Sequence, residues 1–133
     1  MRDPGYPAAV RQHFLEPVHV GPLTAAPGTC VHRGEAGSAA AGTWVVIEAA
    51  VRGAMLEKLA FRAYGCPYLI AASSRAMAIL APGPVARLRE FDPAAVSAEL
   101  AIPAEKLGSL LILQDALRNC FRDWDTTQPA GAR

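Results

Sequence analysis

From residue 43 onward, hydrophobic and polar positions change period once, from two to about 3.6, close to residue 66. Before that point residues 43–51 are rich in β-branched and aromatic types, Arg52-Gly53 has turn chemistry, and residues 55–64 follow. In the second of these runs Leu59, Phe61 and Ala63 alternate with Lys58 and Arg62, the pattern of a strand with one buried and one wet face. A β-hairpin is therefore expected, and residues 30–35 are expected to add a third strand, since three strands are more stable than an isolated pair.

Beyond residue 66 the spacing becomes helical. Ile70, Ser74, Met77 and Leu80 recur on one face until Pro82-Gly83-Pro84 ends the run. Asp92 before Pro93 marks an N-cap with proline at the first helical position, predicting a short helix over 93–100 that Pro103 interrupts. Residues 105–124 form the longest predicted helix, with Leu107, Leu110, Leu111, Leu117, Phe121 and Trp124 on one broad face. At the other end of the chain, Val10 and Phe14 support a helix over 6–15 that stops before Pro17, and residues 21–27 read as a loop. Strands in the first half and helices in the second predict an α+β domain: a three-stranded antiparallel sheet with helices packed on one face. One domain is expected over residues 1–124, followed by a flexible tail at 125–133.

Charge removes some functions. Of 133 residues 13 are basic and 12 acidic, giving +1, and no lysine/arginine block marks a nucleic-acid or membrane surface. No apolar run reaches the roughly 18 residues that span a bilayer, and no secretory signal is evident. Three cysteines without such a signal predict reduced thiols and a cytoplasmic location rather than a disulfide framework.

Each cysteine then needs its own account. Pro67 places Cys66 at a helix N-cap, where the dipole and free N–H groups favour thiolate, so a reactive thiol and an inert buried one both remain open. Cys30 and His32 form a Cys-x-His pair that shares one strand face, as two ligands of a metal require. Further ligands would have to come from elsewhere, such as Cys66 or His19, and a pair with no metal role is the favoured reading, since few isolated pairs are metal sites. Cys120 reads as packing in the long helix. His13 and Asp115 are explained by helix surfaces. No nucleophile-base order, phosphate loop or paired Cys-x-x-Cys occurs, so no enzyme is predicted.

Three segments carry a resemblance to a known family. Tyr6, Val10, His13, Phe14, Pro17, Val20 and Gly21 stand at the spacing of its opening helix. Phe61-Arg62-Ala63-Tyr64-Gly65-Cys66, followed by Ile70-Ala71-Ala72-Ser73-Ser74, looks like its strand, Gly-Cys turn and Ala/Ser-rich helix. Residues 99–107, Glu-Leu-Ala-Ile-Pro-Ala-Glu-Lys-Leu, are similar to its Glu-Leu-Ala-Leu-Pro-Pro-Val-Lys-Leu, and Asp115-Ala116 keeps a later register. On these residues the chain resembles the IscU/NifU-type scaffolds of iron-sulfur cluster assembly, over most of its length.

The resemblance implies a scaffold whose ligands are mostly gone. The family's Cys-Gly-Asp falls on Ala41-Gly42-Thr43, its second cysteine on Cys66, and its His-Cys on Gly108-Ser109. One thiol out of about four ligands cannot close a tetrahedral site. A serine at position 109 cannot carry a persulfide. The expectation is an adaptor or regulator that docks assembly partners and binds no cofactor stably. The alternatives are a carrier of zinc or an iron-sulfur cluster using Cys66 with Cys30 and His32 or with a second subunit in a homodimer, and a sulfur-transfer protein built on Cys66. Partners implied by resemblance are a cysteine desulfurase and an Hsp70-type chaperone. The latter recognises the family segment that here reads Ile102-Pro103-Ala104-Glu105-Lys106, with Ile102 expected to fill an apolar pocket and Glu105 to weaken binding.

Overall fold

The computed structural model describes Ala8 and residues 20–129. Apart from Ala8, the helix expected at 6–15 lies outside the described residues, as do His13 and His19.

Strands β1 (Cys30–Ser38), β2 (Thr43–Arg52) and β3 (Met55–Tyr64) form an antiparallel meander. The turn between β2 and β3 places Gly53, at φ 61°, first of two central residues, where the right-handed twist of the flanking strands favours a glycine. Register slips between Ala50 and Val51: Lys58 faces the first and Leu56 the second, so Glu57 is the extra residue of a bulge. Its carboxylate accepts from Arg52 Nε at 2.6 Å.

The sheet has four strands rather than the three expected. Gly83–Pro84 forms β4, with Pro84 opposite Met55 and Gly83 opposite Leu56. Two residues leave no period to read, and proline is tolerated there because the strand lies at the sheet edge. β1 also runs three residues beyond its expected end.

Helix α1 (Pro67–Leu80) follows β3, with Cys66 as N-cap and Pro67 in the first turn. Two short helices, α2 (Arg87–Glu90) and α3 (Pro93–Glu99), lead through a 3₁₀ turn at Ala104–Lys106 into α4 (Leu107–Asp125). Asp92 caps α3 as its type predicts, accepting from Ala94 N at 3.0 Å. The core lies between one sheet face and the helices: Val45, Ile47, Ala49, Leu59 and Phe61 meet Leu69, Met77, Leu113 and Leu117. This is the α+β architecture with helices over a sheet face that the change of period predicts.

Two backbone details fix where α4 and Ile102 sit. Gly34 on β1 has no room for a side chain, since a Cβ there would lie 2.1 Å from Cys120 N and 2.3 Å from Ala116 O. α4 therefore rests directly on β1, with the Cys120 thiol donating to His32 O at 3.6 Å. The second detail ends α3. Ala101 takes φ 55°, its N–H donates to Ala98 O at 3.3 Å, and Ile102 N–H donates to Ser97 O at 2.9 Å. Those bonds form a Schellman motif, whose residue after the left-handed position turns inward. Ile102 is accordingly 7% exposed and joins the core.

Candidate functional site: the two ends of the sheet

Chain direction sorts the chemistry-bearing residues to opposite ends of the sheet. At one end lie the β1–β2 turn, the β3–α1 turn and the start of α4. A Cβ on Gly65 would come 3.7 Å from Gly42 O, and one on Gly37 would come 3.1 Å from Ile112 Cγ2, one turn into α4 beyond Gly108 and Ser109. Positions 41–43, 66 and 108–109 therefore gather at one end although up to 68 residues separate them in sequence (109 − 41). Gly42, at φ 83° with open space where a side chain would stand, keeps a backbone conformation that most other residues resist.

The donors gathered there are few. Cys66 is half-buried, has extended backbone at φ −74° and ψ 164°, and makes no side-chain bond to the N–H groups of α1. Thr43 and Ser109 are half-buried hydroxyls, while Ala41 and Gly108 are exposed and offer no donor atom in a side chain. Among the described residues no group of three or more His, Cys, Asp or Glu side chains is placed to hold a metal ion. Among the described residues this end offers one thiol and two neutral hydroxyls, a donor set that does not by itself fit an iron-sulfur cluster, which thiolates hold.

The other end carries what this one lacks. Cys30 pairs with Val51 while Tyr64, two residues before Cys66, pairs with Trp44. Those partners are seven residues apart on β2 (51 − 44), about 23 Å at the rise of an extended strand. A ligand set combining Cys66 with Cys30 and His32 would have to bridge that span within one chain. Cys30 is exposed, and His32, two residues on, is 8% exposed with Nδ1 3.3 Å from Asp123 Oδ2. The same carboxylate oxygen accepts from Arg33 N at 3.0 Å. Cys30 and His32 line a cleft of about 300 Å³ with Gly28, Val51, Gly53, Trp124, Thr127 and Gln128. Trp124 is pinned across its floor by donation from Nε1 to Gly53 O at 3.0 Å.

Cys120 sits beneath this end, fully buried as its helical position predicts. Burial away from water pushes its thiol up to about 12, helped by the carboxylates of Asp123 and Glu48. Asp123 has no signal in the sequence: 91 residues separate it from His32, and only the seating of α4 on β1 joins them.

A family model for the NifU-like N terminal domain matches residues 5–130. The chain belongs to this family. A crystal structure of a NifU-like protein (N-terminal) from Brucella abortus is similar at 14% identity and a TM-score of 0.70, covering 91% of this chain and 94% of that one. A crystal structure of a hypothetical protein is similar at 18% identity and a TM-score of 0.59, covering 84% and 95%. At such identities the likeness is one of fold. No curated protein is similar enough to match. The NifU-like family is one of iron-sulfur cluster assembly scaffolds.

Proposed function

We propose that this chain serves iron-sulfur cluster assembly as an adaptor or regulator, docking assembly partners while the cluster is held elsewhere. One observation carries the reading. Ala41, Thr43, Cys66, Gly108 and Ser109, onto which the resemblance carries the family's ligand positions, lie at one end of the sheet, and Cys66 is the one thiol among the described residues there. The shape of a scaffold without its donors is a surface for the scaffold's partners. By the same resemblance these are a cysteine desulfurase and an Hsp70-type chaperone, and no catalytic step is assigned to the chain.

The chaperone segment supports weak docking. Pro103 is half-buried, Ala104 and Glu105 are exposed, and Lys106 is half-buried in a 3₁₀ turn. Ile102, expected to fill a pocket on the chaperone, is used by its own domain: the Schellman motif turns it into the core. Engagement of all five residues would require α3 to loosen at its C-terminus, at a cost in binding free energy.

The test is iron and acid-labile sulfide content after purification without oxygen, for the native chain and for one with Ala41→Cys, Thr43→Asp, Gly108→His and Ser109→Cys together. Near-zero content in the native chain and about one bound metal or cluster in the restored one support the proposal, since the restored donors complete a closed site. A native chain that carries stoichiometric metal, lost on Cys66→Ser, overturns it. That result would favour a second reading, a cluster shared by Cys66 of two copies, which the half-exposed thiol at the N-cap permits.

A further inference from the structure

Trp124 also lines a second cleft, of about 340 Å³, which has no part in the adaptor reading. We propose that this cleft binds a small aromatic carboxylate, with the ring against its apolar walls and the carboxylate on Arg89. The walls come from three places: Ala54 in the β2–β3 turn, Val85 and Ala86 between β4 and α2, and Phe121 and Trp124 near the end of α4. At that volume the cleft has the size of a site for one small ligand.

The walls are fixed before any ligand arrives. Gly53 O accepts from Trp124 Nε1 at 3.0 Å and Ala54 O accepts from Val85 N at 2.9 Å, so the two residues of the turn each tie down one wall. Leu88, with no exposed surface, anchors the short helix that carries Arg89. Little freedom is then lost on binding, which favours affinity.

Arg89 decides the charge of the ligand. Its guanidinium carbon lies 5.0 Å from the centroid of the Phe121 ring, a cation–π contact that holds the head group at the cleft and leaves its N–H donors for another acceptor. Among the described residues no carboxylate forms an ion pair with it. Asp125, the other charged residue of the lining, already has a partner. A carboxylate matches the guanidinium fork with two parallel bonds, which neither a hydroxyl nor a cation does. The aromatic walls decide the body. Phe121 and Trp124 are tilted by 47° with centroids 5.6 Å apart, and a third ring can meet them face or edge on, a gain beyond the area it buries.

The experiment follows the indole N–H signals of the full chain by NMR, since there are two tryptophans and only one lines the cleft. Trp44 is the internal control: it pairs with Tyr64 at the opposite end of the sheet, and its Nε1 donates to Glu35 Oε2 at 3.0 Å. Titration with naphthoate should shift the Trp124 signal to saturation and leave that of Trp44 in place. The neutral naphthalenemethanol should bind at least about tenfold more weakly, the low end for losing a charge-assisted bond. Octanoate, which keeps the carboxylate without the ring, should also bind more weakly. In Arg89→Gln, with circular dichroism reporting an intact fold, acid and alcohol should bind alike, while Arg89→Lys should keep part of the preference for the acid. No saturable shift at Trp124, equal affinity for acid and alcohol in the native chain, a preference that survives Arg89→Gln, or octanoate bound as tightly as naphthoate would overturn the proposal.

Discussion

The two ends of the sheet differ in how their chemistry is held. At the end of Gly42, Cys66 and Ser109 the backbone geometry is specific and the side chains carry few donors: a glycine at φ 83°, an N-cap thiol, two hydroxyls. At the end of Cys30, His32 and Asp123 ordinary strand and helix backbone carries a bonded His32–Asp123 pair beside a cleft that Cys30 also lines. Backbone shape of this kind is kept whatever its side chains bind, because the turns and caps also serve the fold. Ionisable side chains need no special backbone and are placed wherever two elements meet.

α4 joins the two ends, so the most damaging change should fall between them. Gly34→Ala drives a Cβ into the backbone of α4 at Cys120 and Ala116, where no side chain can move aside. A loss of about 3 kcal/mol or more in urea denaturation is expected, at the upper range of overpacking, with both ends affected together. A loss under about 1 kcal/mol, the low end of that range, would mean that α4 does not rest directly on β1. Trp124→Ala should cost about 3 kcal/mol, since it removes a mostly buried indole and orphans Gly53 O. Its thermal melt should fall, while Cys66 alkylation before the melt stays unchanged if the ends are independent.

Alkaline titration sharpens the contrast further. The Cys120 thiol is raised from 9.0 to about 12 in the folded chain, so the neutral form is the one that folding favours. That stability is complete below pH 9 and is lost as pH climbs toward 12, at about 1.4 kcal/mol per unit for one proton. Cys120→Ala should flatten the alkaline limb of the stability curve, measured by denaturant midpoints from about pH 8 to 11. With an alkylating agent at about pH 9, Cys30 and Cys66 should react in the folded protein while Cys120 waits for unfolding. The smallest effects lie elsewhere. Ala101→Gly should stabilise the chain by about 1 kcal/mol, because its left-handed backbone is one that alanine resists. Ser109→Ala should change stability by no more than about 0.5 kcal/mol, and a larger loss would reveal a hydrogen bond made by its hydroxyl at the family end.

Local signals in the sequence told most about the elements. Arg52-Gly53 marked a hairpin, Cys66-Pro67 a helix start and Asp92-Pro93 a cap, since each acts through its immediate neighbours. The family itself was also readable, from residues 61–66 with 70–74 and from 99–107. What stayed hidden depends on distance in sequence. The link from His32 to Asp123 spans 91 residues, and β4 exists because Leu56 and Met55 offer an edge to Gly83 and Pro84. Gly34 left a faint trace: with Ala36 it puts small residues on the inner face of β1, which is what a closely seated helix demands. The inward turn of Ile102 was not legible either, because it depends on the left-handed backbone at Ala101 that ends α3.

Asp123 and Asn119 do more than join α4 to β1. Residues 33 and 35, two apart, turn their main-chain groups to the same outer edge, and there Asp123 accepts from Arg33 N while Asn119 Nδ2 donates to Glu35 O at 2.9 Å. A further strand laid along that edge would find these two rungs already taken. At the opposite margin β4 covers Met55 and Leu56, and Gly21 N bonds to Phe61 O at 3.2 Å. The sheet is thus guarded against growth by strand addition on both sides. With these rungs taken, less of either edge is left open for the sheet of a second copy to join.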